Sequence, residues 1–232
     1  MTASTRVWAL VPAYNEESRI RSTITALKSR TEIDRLVVID DGSKDATSRI
    51  AQEAGACEVI TMPKNGGKGA ALAAGYERGK NQAEIFLLLD ADLGPSATEC
   101  VKLLTPVLAG NADMVIGLLP PDTSLEEGGH SGGGTGLVVR LARWGLLRKA
   151  GLSLQQPLSG QRAVRREVLD ALGGKFSTGF GVEVGLTLRA AEKGFRIQEV
   201  ETAFRHRVTG DSWKDFLHRG RQFVDVAQAL FL

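Results

Sequence analysis

Apolar runs recur along the first half of the chain, and between them apolar positions fall three and four apart. The runs occupy 7–11, 35–40, 58–61 and 85–90. They are short and mostly apolar, and read as strands buried on both faces. The stretches between them, 16–29, 45–55 and 67–80, carry the spacing of amphipathic helices. Gly55 and Gly79 stand where helix C-caps belong. Strands alternating with helices predict an α/β fold, with a Rossmann-like, mostly parallel central sheet and helices on both faces. Ligands of such sheets bind beyond the carboxyl ends of the strands.

A fifth strand is expected at 112–119. The segment 120–136 has no periodicity and six glycines, and reads as a mobile loop that closes over a ligand. Beyond it, 137–151 is a basic amphipathic helix and 159–172 leads into another helix. A further helix at 182–194, a strand at 195–204 and a second amphipathic helix at 212–232 complete the chain. No internal repeat or linker interrupts this order, so one domain over 1–232 is expected.

Composition narrows the class. A chain of 232 residues with 43% hydrophobic and 24% charged residues is ordinary for a soluble globular protein and can bury its own core without disulfide staples. No leader and no apolar stretch of membrane-spanning length is read, so the expected location is cytoplasmic. Cys57 and Cys100 lack metal-ligand spacing and read as reduced thiols in core-like surroundings. The formal net charge of +2 is unevenly spread. Residues 1–136 hold 13 basic and 18 acidic side chains, residues 137–232 hold 16 and 9. The two halves therefore suit different partners, and no nucleic acid is expected among them.

Chemistry gathers at the strand ends. After the first strand comes "PAYNEES", without the G-x-G-x-x-G of a dinucleotide fold. Pro12, Ala13 and Tyr14 offer a turn with an aromatic face, and Glu16 stands near a helix start. The second strand ends in "IDDGSKD". A carboxylate here accepts from a base N–H or a ribose hydroxyl, although Asp and Ser also supply ordinary turn and cap chemistry. "KNGGKGAAL" follows the third strand and places Lys68 at a helix start, where anions are favoured. It is not a P-loop, because Met62 replaces the first glycine and Gly69 the Ser/Thr. The fourth strand ends in Asp90 and Asp92. A turn beginning at Ala91 brings both near one hard divalent cation, and Mg²⁺ is commonly held by carboxylates together with substrate phosphates.

"VPAYNEES", "VIDDGSKDAT", "NGGKGAAL" and "LLLDADL" resemble, in order and spacing, the nucleotide-sugar-binding half of family 2 glycosyltransferases. The resemblance covers residues 1–120 closely. It implies a glycosyltransferase A-type fold, a nucleoside diphosphate sugar (a UDP-sugar such as UDP-glucose is favoured) and Mg²⁺ or Mn²⁺. Pro12, Ala13, Tyr14 and Glu16 would line the nucleoside, Asp41 would read the base, and Lys68 would lie near ribose or phosphates. Asp92 would bind the metal, with Asp90 and Ala91 against ribose or metal-bound water. The half 121–232, read as acceptor-binding, resembles polyprenyl-phosphate sugar synthases and glucosyl-phosphoglycerate synthases through "SGQRAVRREVL" and 178–207. That likeness implies His206 as a further metal ligand, although a lone His is more often surface or core. Glu183 would be the base for a hydroxyl acceptor. For a phosphate acceptor no base is needed, and Arg162 beside Gly160 would be the counter-ion.

A family 2 enzyme of this kind implies hexose transfer in cell-envelope biosynthesis. A nucleotide-sugar-binding protein without turnover would be free to lose Asp90, Asp92 and His206. A nucleotidyltransferase would need a basic glycine-rich loop where this chain has "PAYNEE". Leu137, Leu141, Trp144 and Leu147 on one helix, with Trp213, Phe216, Leu217 and Phe223 on the other, are flanked by Lys and Arg. Such faces suit the inner surface of a membrane and a lipid-phosphate acceptor. They equally suit packing on the sheet or a homodimer interface.

Overall fold

The computed structural model describes residues 5–120, 133–177, 179, 181–205 and 224–230. Seven strands form one sheet: β1 Val7–Ala13, β2 Arg35–Asp40, β3 Glu58–Thr61, β4 Ile85–Leu88, β5 Met114–Leu118, β6 Arg162–Arg165 and β7 Ile197–Glu201. Their order is β3-β2-β1-β4-β6-β5-β7. Among the described strands, β6 alone is antiparallel to its neighbours, β4 and β5. The helices are α1 Ile20–Lys28, α2 Thr47–Ala54, α3 Lys68–Gly79, α4 Cys100–Leu108, α5 Gly133–Ala150, α6 Arg166–Ala171 and α7 Gly181–Glu192. A 3₁₀ turn at Gly94–Glu99 precedes α4, and a last helical segment spans 224–230.

The continuous apolar character of β1 follows from its having two covered faces. Val7, Ala9, Val11 and Ala13 join one core with residues of α1, α2 and α4. Trp8 and Leu10 point the other way, into a core shared with α3, α6 and α7. A third cluster ties α5, α7 and the 224–230 helix together through Val138, Leu146, Val184, Val226 and Leu230. In parallel register Ala13 stands level with Asp40, and Asp40 with Thr61. Three chain exits therefore open side by side.

Several expectations change. Pro12 and Ala13 lie in β1 rather than in a turn. Helix α3 runs through Gly79 to a cap at Lys80. Gly79 serves packing instead, because a Cβ there would come within 2.8 Å of the Trp8 ring and 2.9 Å of Phe86. Cys57 is exposed, whereas Cys100 is buried, and burial pushes its thiol up to about 12. The loop expected over 120–136 ends earlier, since α5 begins at Gly133; 121–132 lie outside the described residues. The buried face of α5 is Val138, Ala142 and Leu146, while Leu137, Trp144 and Leu147 are exposed. The stretch 159–172 holds β6 as well as α6.

Candidate active site

The site is assembled where β1, β2 and β4 end. Beyond β1, Asn15 adopts a left-handed conformation (φ 55°), which Asn tolerates better than most residues. Its N–H donates to Ser43 Oγ at 2.9 Å and its Oδ1 accepts from Lys44 N at 2.9 Å. Glu16 N donates to Thr47 Oγ1 at 2.8 Å. The loops after β1 and β2 are thus stitched into one wall. Tyr14 presents its ring from that wall, 42% exposed.

Asp40 and Asp41 are both buried. Asp40 accepts from Ser43 N at 2.9 Å and from Ser48 Oγ. Asp41, expected to face a base, accepts from Gly66 N and Gly67 N, each at 2.7 Å. Its two oxygens latch the glycine loop that leads into α3. Gly67 there has φ 84°, a value that suits glycine. Gly69 explains why this turn is not a P-loop: a Cβ would fall 2.2 Å from the Ser177 carbonyl oxygen. The start of α3 is pressed against the segment entering α7.

That contact delivers Lys68 between two acids. Its Nζ lies 2.7 Å from Asp90 Oδ1 and 2.8 Å from Glu183 Oε1. Burial would lower the lysine pKa, but the charges of Asp90 and Glu183, and hydrogen bonds to both, raise it above the ordinary value. A pKa raised on folding contributes stability that is complete below the unfolded value and is lost only as pH climbs through the folded one. Lys68 therefore keeps its charge across the neutral range. Glu183 sits in the first turn of α7, only 8% exposed.

The aspartate pair follows β4, with the expected turn at 91–92. Thr23 of α1, fully buried, shapes this turn. Its Oγ1 donates to the Ala91 carbonyl at 2.8 Å and accepts from Gly94 N at 2.8 Å. Gln161, also fully buried, pairs with Asp90 twice: its Nε2 donates to Oδ2 at 2.6 Å and its Oε1 accepts from Asp90 N at 3.1 Å. Neither role carries a local signal, since the partners lie 68 and 71 positions away in the chain. Gly160 is the close neighbour of this cluster, because a Cβ there would meet Lys68 Nζ at 2.4 Å and Asp90 Oδ2 at 3.1 Å.

Asp92 is half-buried and its charge reaches Glu16. Burial raises the Glu16 carboxyl most, Arg19 opposes it, and Asp92 and Asp45 push it further up. Acids that repel one another at a strand end fit a hard divalent cation. Among the described residues no group of three His, Cys, Asp or Glu converges. His206 lies outside the described residues. The chain leading to it is anchored beside the aspartate turn, with Arg205 N donating to Ser96 Oγ at 2.9 Å and Ala203 N to Glu99 Oε2 at 2.7 Å.

Arg162 is corrected. Expected as the counter-ion of an acceptor phosphate, it is 1% exposed, beneath the site rather than in it. Its guanidinium donates to the carbonyls of Ser159 (2.9 Å) and Pro157 (3.1 Å) and to Thr187 Oγ1 (2.7 Å). Burial lowers its pKa to about 10, opposed by Glu183 and Glu199, so it stays a cation at neutral pH. As the first residue of a central strand its side chain is committed to the interior, where it braces α7 through Thr187.

A sheet of this order, with its acids and its glycine loop gathered at one end, has the glycosyltransferase A-type fold. The chain belongs to glycosyl transferase family 2, whose profile matches residues 8–172. It is similar to the polyprenol monophosphomannose synthase of Mycolicibacterium smegmatis, 30% identical over 226 residues that cover 89% of this chain and 80% of the relative. It is also similar to the glucosyl-3-phosphoglycerate synthase of Mycobacterium tuberculosis, 33% identical over 202 residues, 80% of this chain but only 61% of that one. The latter enzyme's crystal structure in complex with Mn²⁺, UDP and phosphoglyceric acid superposes with a TM-score of 0.78 at 28% identity, covering 99% of this chain and 80% of that chain. Another of its structures holds Mg²⁺ and UDP.

Proposed function

We propose that this glycosyltransferase moves a hexose from a UDP-sugar to a phosphate-bearing acceptor, a polyprenyl phosphate at the membrane surface, with Mg²⁺ or Mn²⁺. Residues 1–120 would form the donor half and 121–232 the acceptor half of one unit. The observation that carries the reading is the Asp90–Lys68–Glu183 cluster beside Asp92. Asp92 would hold the metal, with His206 as its further ligand. The ion would supply Lewis-acid charge to the departing diphosphate. Lys68 fixes Asp90 for a sugar or ribose hydroxyl, and Tyr14 and Glu16 border the nucleoside. Stabilising the charge that develops on the leaving group is the chief task of such a site.

Glu183 is engaged as a counter-ion to Lys68, which suits an acceptor that arrives already ionised and needs no base. The polyprenol relative supports the lipid phosphate, and UDP with Mn²⁺ or Mg²⁺ in the solved neighbour supports the donor and metal. Helix α5 supports the membrane surface: it carries four basic residues and no acidic one, with Leu137 and Leu147 exposed.

Calorimetry and turnover assays with UDP- and GDP-sugars, with and without Mn²⁺, test the reading. UDP-sugar should bind and turn over only with the metal, and Asp92→Ala should abolish both while unfolding as the wild type does. Losing the metal carboxylate removes several kcal/mol of transition-state stabilisation. Metal-independent binding, or full turnover by Asp92→Ala, would overturn it. Tight binding with no turnover on any phosphate acceptor would make the protein a nucleotide-sugar binder.

A further inference from the structure

We propose that Gln161 is a positioning residue that divides the labour of the two aspartates, holding Asp90 as a hydroxyl acceptor and leaving the metal to Asp92. The inference rests on the donor-site reading above. Strand β6 is the antiparallel insertion between β4 and β5, with Leu88 opposite Arg162. One residue earlier, Gln161 comes into reach of the residues that follow β4. Its backbone carbonyl accepts from Gly117 N at 2.9 Å, so the residue is pinned to β5 as well. The carboxamide then faces Asp90 in both senses, accepting from its N–H and donating to Oδ2.

With Lys68 on Oδ1, both oxygens of Asp90 carry a donor. A carboxylate whose charge is already countered by an ammonium at 2.7 Å, with an amide donor on its other oxygen, has less attraction left for a divalent ion. It remains a good acceptor for a hydroxyl, because each oxygen has a second lone pair. The orientation matters more than the charge. Gln161 fixes which way the carboxylate plane faces, and Gly160 keeps the approach to Lys68 clear.

A double-mutant cycle tests this. Gln161→Met keeps the volume and removes both hydrogen bonds. Gln161→Glu keeps an acceptor for Asp90 N but sets a charge against Oδ2. Losing hydrogen bonds to a charged group should weaken UDP-sugar binding about tenfold or more. It should raise the donor KM more than it lowers kcat, with Gln161→Glu the worse of the two. In an Asp90→Ala background Gln161→Met should add little to the loss of donor affinity, because the carboxylate it orients is gone and only the bond to the residue-90 N–H is left to lose. A merely structural role would give additive losses. Additive effects, or wild-type donor affinity in both single variants, would overturn the proposal. The same cycle read as thermal midpoints needs no donor. A wild type that fails to bind UDP with Mn²⁺ would thus sink the donor reading, while additive midpoints would sink the Gln161–Asp90 pairing separately.

Discussion

Asp41 carries a structural task that its neighbours in sequence do not announce. "DDGS" suggested an acid facing a base, yet Asp41 is 3% exposed and bonds the Gly66 and Gly67 N–H groups at 2.7 Å each. Changing it to Asn replaces one acceptor oxygen with a donor that faces a donor. Losing a hydrogen bond to a charged group costs about 1.5–3 kcal/mol. Asp41→Asn should therefore lower the thermal midpoint as well as weaken the donor, because the glycine loop carries Lys68. Unchanged unfolding together with weak donor binding would return the residue to direct base contact. Asp90 and Asp92 were legible as acids after a strand end, and Lys68 as a cation at a helix start. Thr23 and Gln161 were not, since a buried Thr in a helix and a Gln before a strand have no local signature.

At the scale of elements, the crossings of α3 decide the site. Gly75 lies against Ile39 and Leu10, Gly79 against Trp8 and Phe86, and Gly69 against the Ser177 carbonyl. The helix is thereby drawn onto the sheet along one side and onto the α7 entrance at its start. Gly69→Ala would push the Lys68 end away, because a backbone oxygen cannot swing aside as a side chain can. Overpacking of this kind costs about 1–3 kcal/mol. The variant should be less stable by that order and should lose donor affinity through the displaced lysine. Wild-type stability and affinity would mean that the segment before α7 yields freely. Strand β6 escaped notice because only Ala163 and Val164 are apolar in it, and Arg162 and Arg165 bracket them. Periodicity cannot recognise a strand whose buried arginine is satisfied by carbonyls and a hydroxyl that only the fold supplies.

For the whole molecule, the question is what α5 faces. One side packs against α7 and the 224–230 helix, and Leu137, Trp144 and Leu147 look outward at 53–58% exposure, with Arg140 and Arg148 among them. No helix among the described residues is long and apolar enough to cross a membrane. A surface helix of this kind gains from apolar insertion and from about 1 kcal/mol for each basic residue near an anionic surface. The protein should float with anionic liposomes at low salt, and Leu137→Ser with Leu147→Ser should release it while preserving turnover on a water-soluble acceptor. Recovery entirely in the soluble fraction would remove the membrane; a shift from dimer to monomer in the double variant would make α5 a homodimer contact.

What the chain determined by itself was the alternation of strands and helices, the parallel sheet and the collection of acids at its carboxyl ends, because periodicity and two-faced burial are local properties. The tertiary structure alone decided which acids are occupied. Arg162 is drawn into the interior, Asp41 into the glycine loop, and Asp90 between Lys68 and Gln161, residues 22 and 71 positions away. Those partners meet only through sheet order and the reversal of β6. Hydrogen-bond satisfaction depends on what stands opposite in space, and sequence spacing does not carry that information.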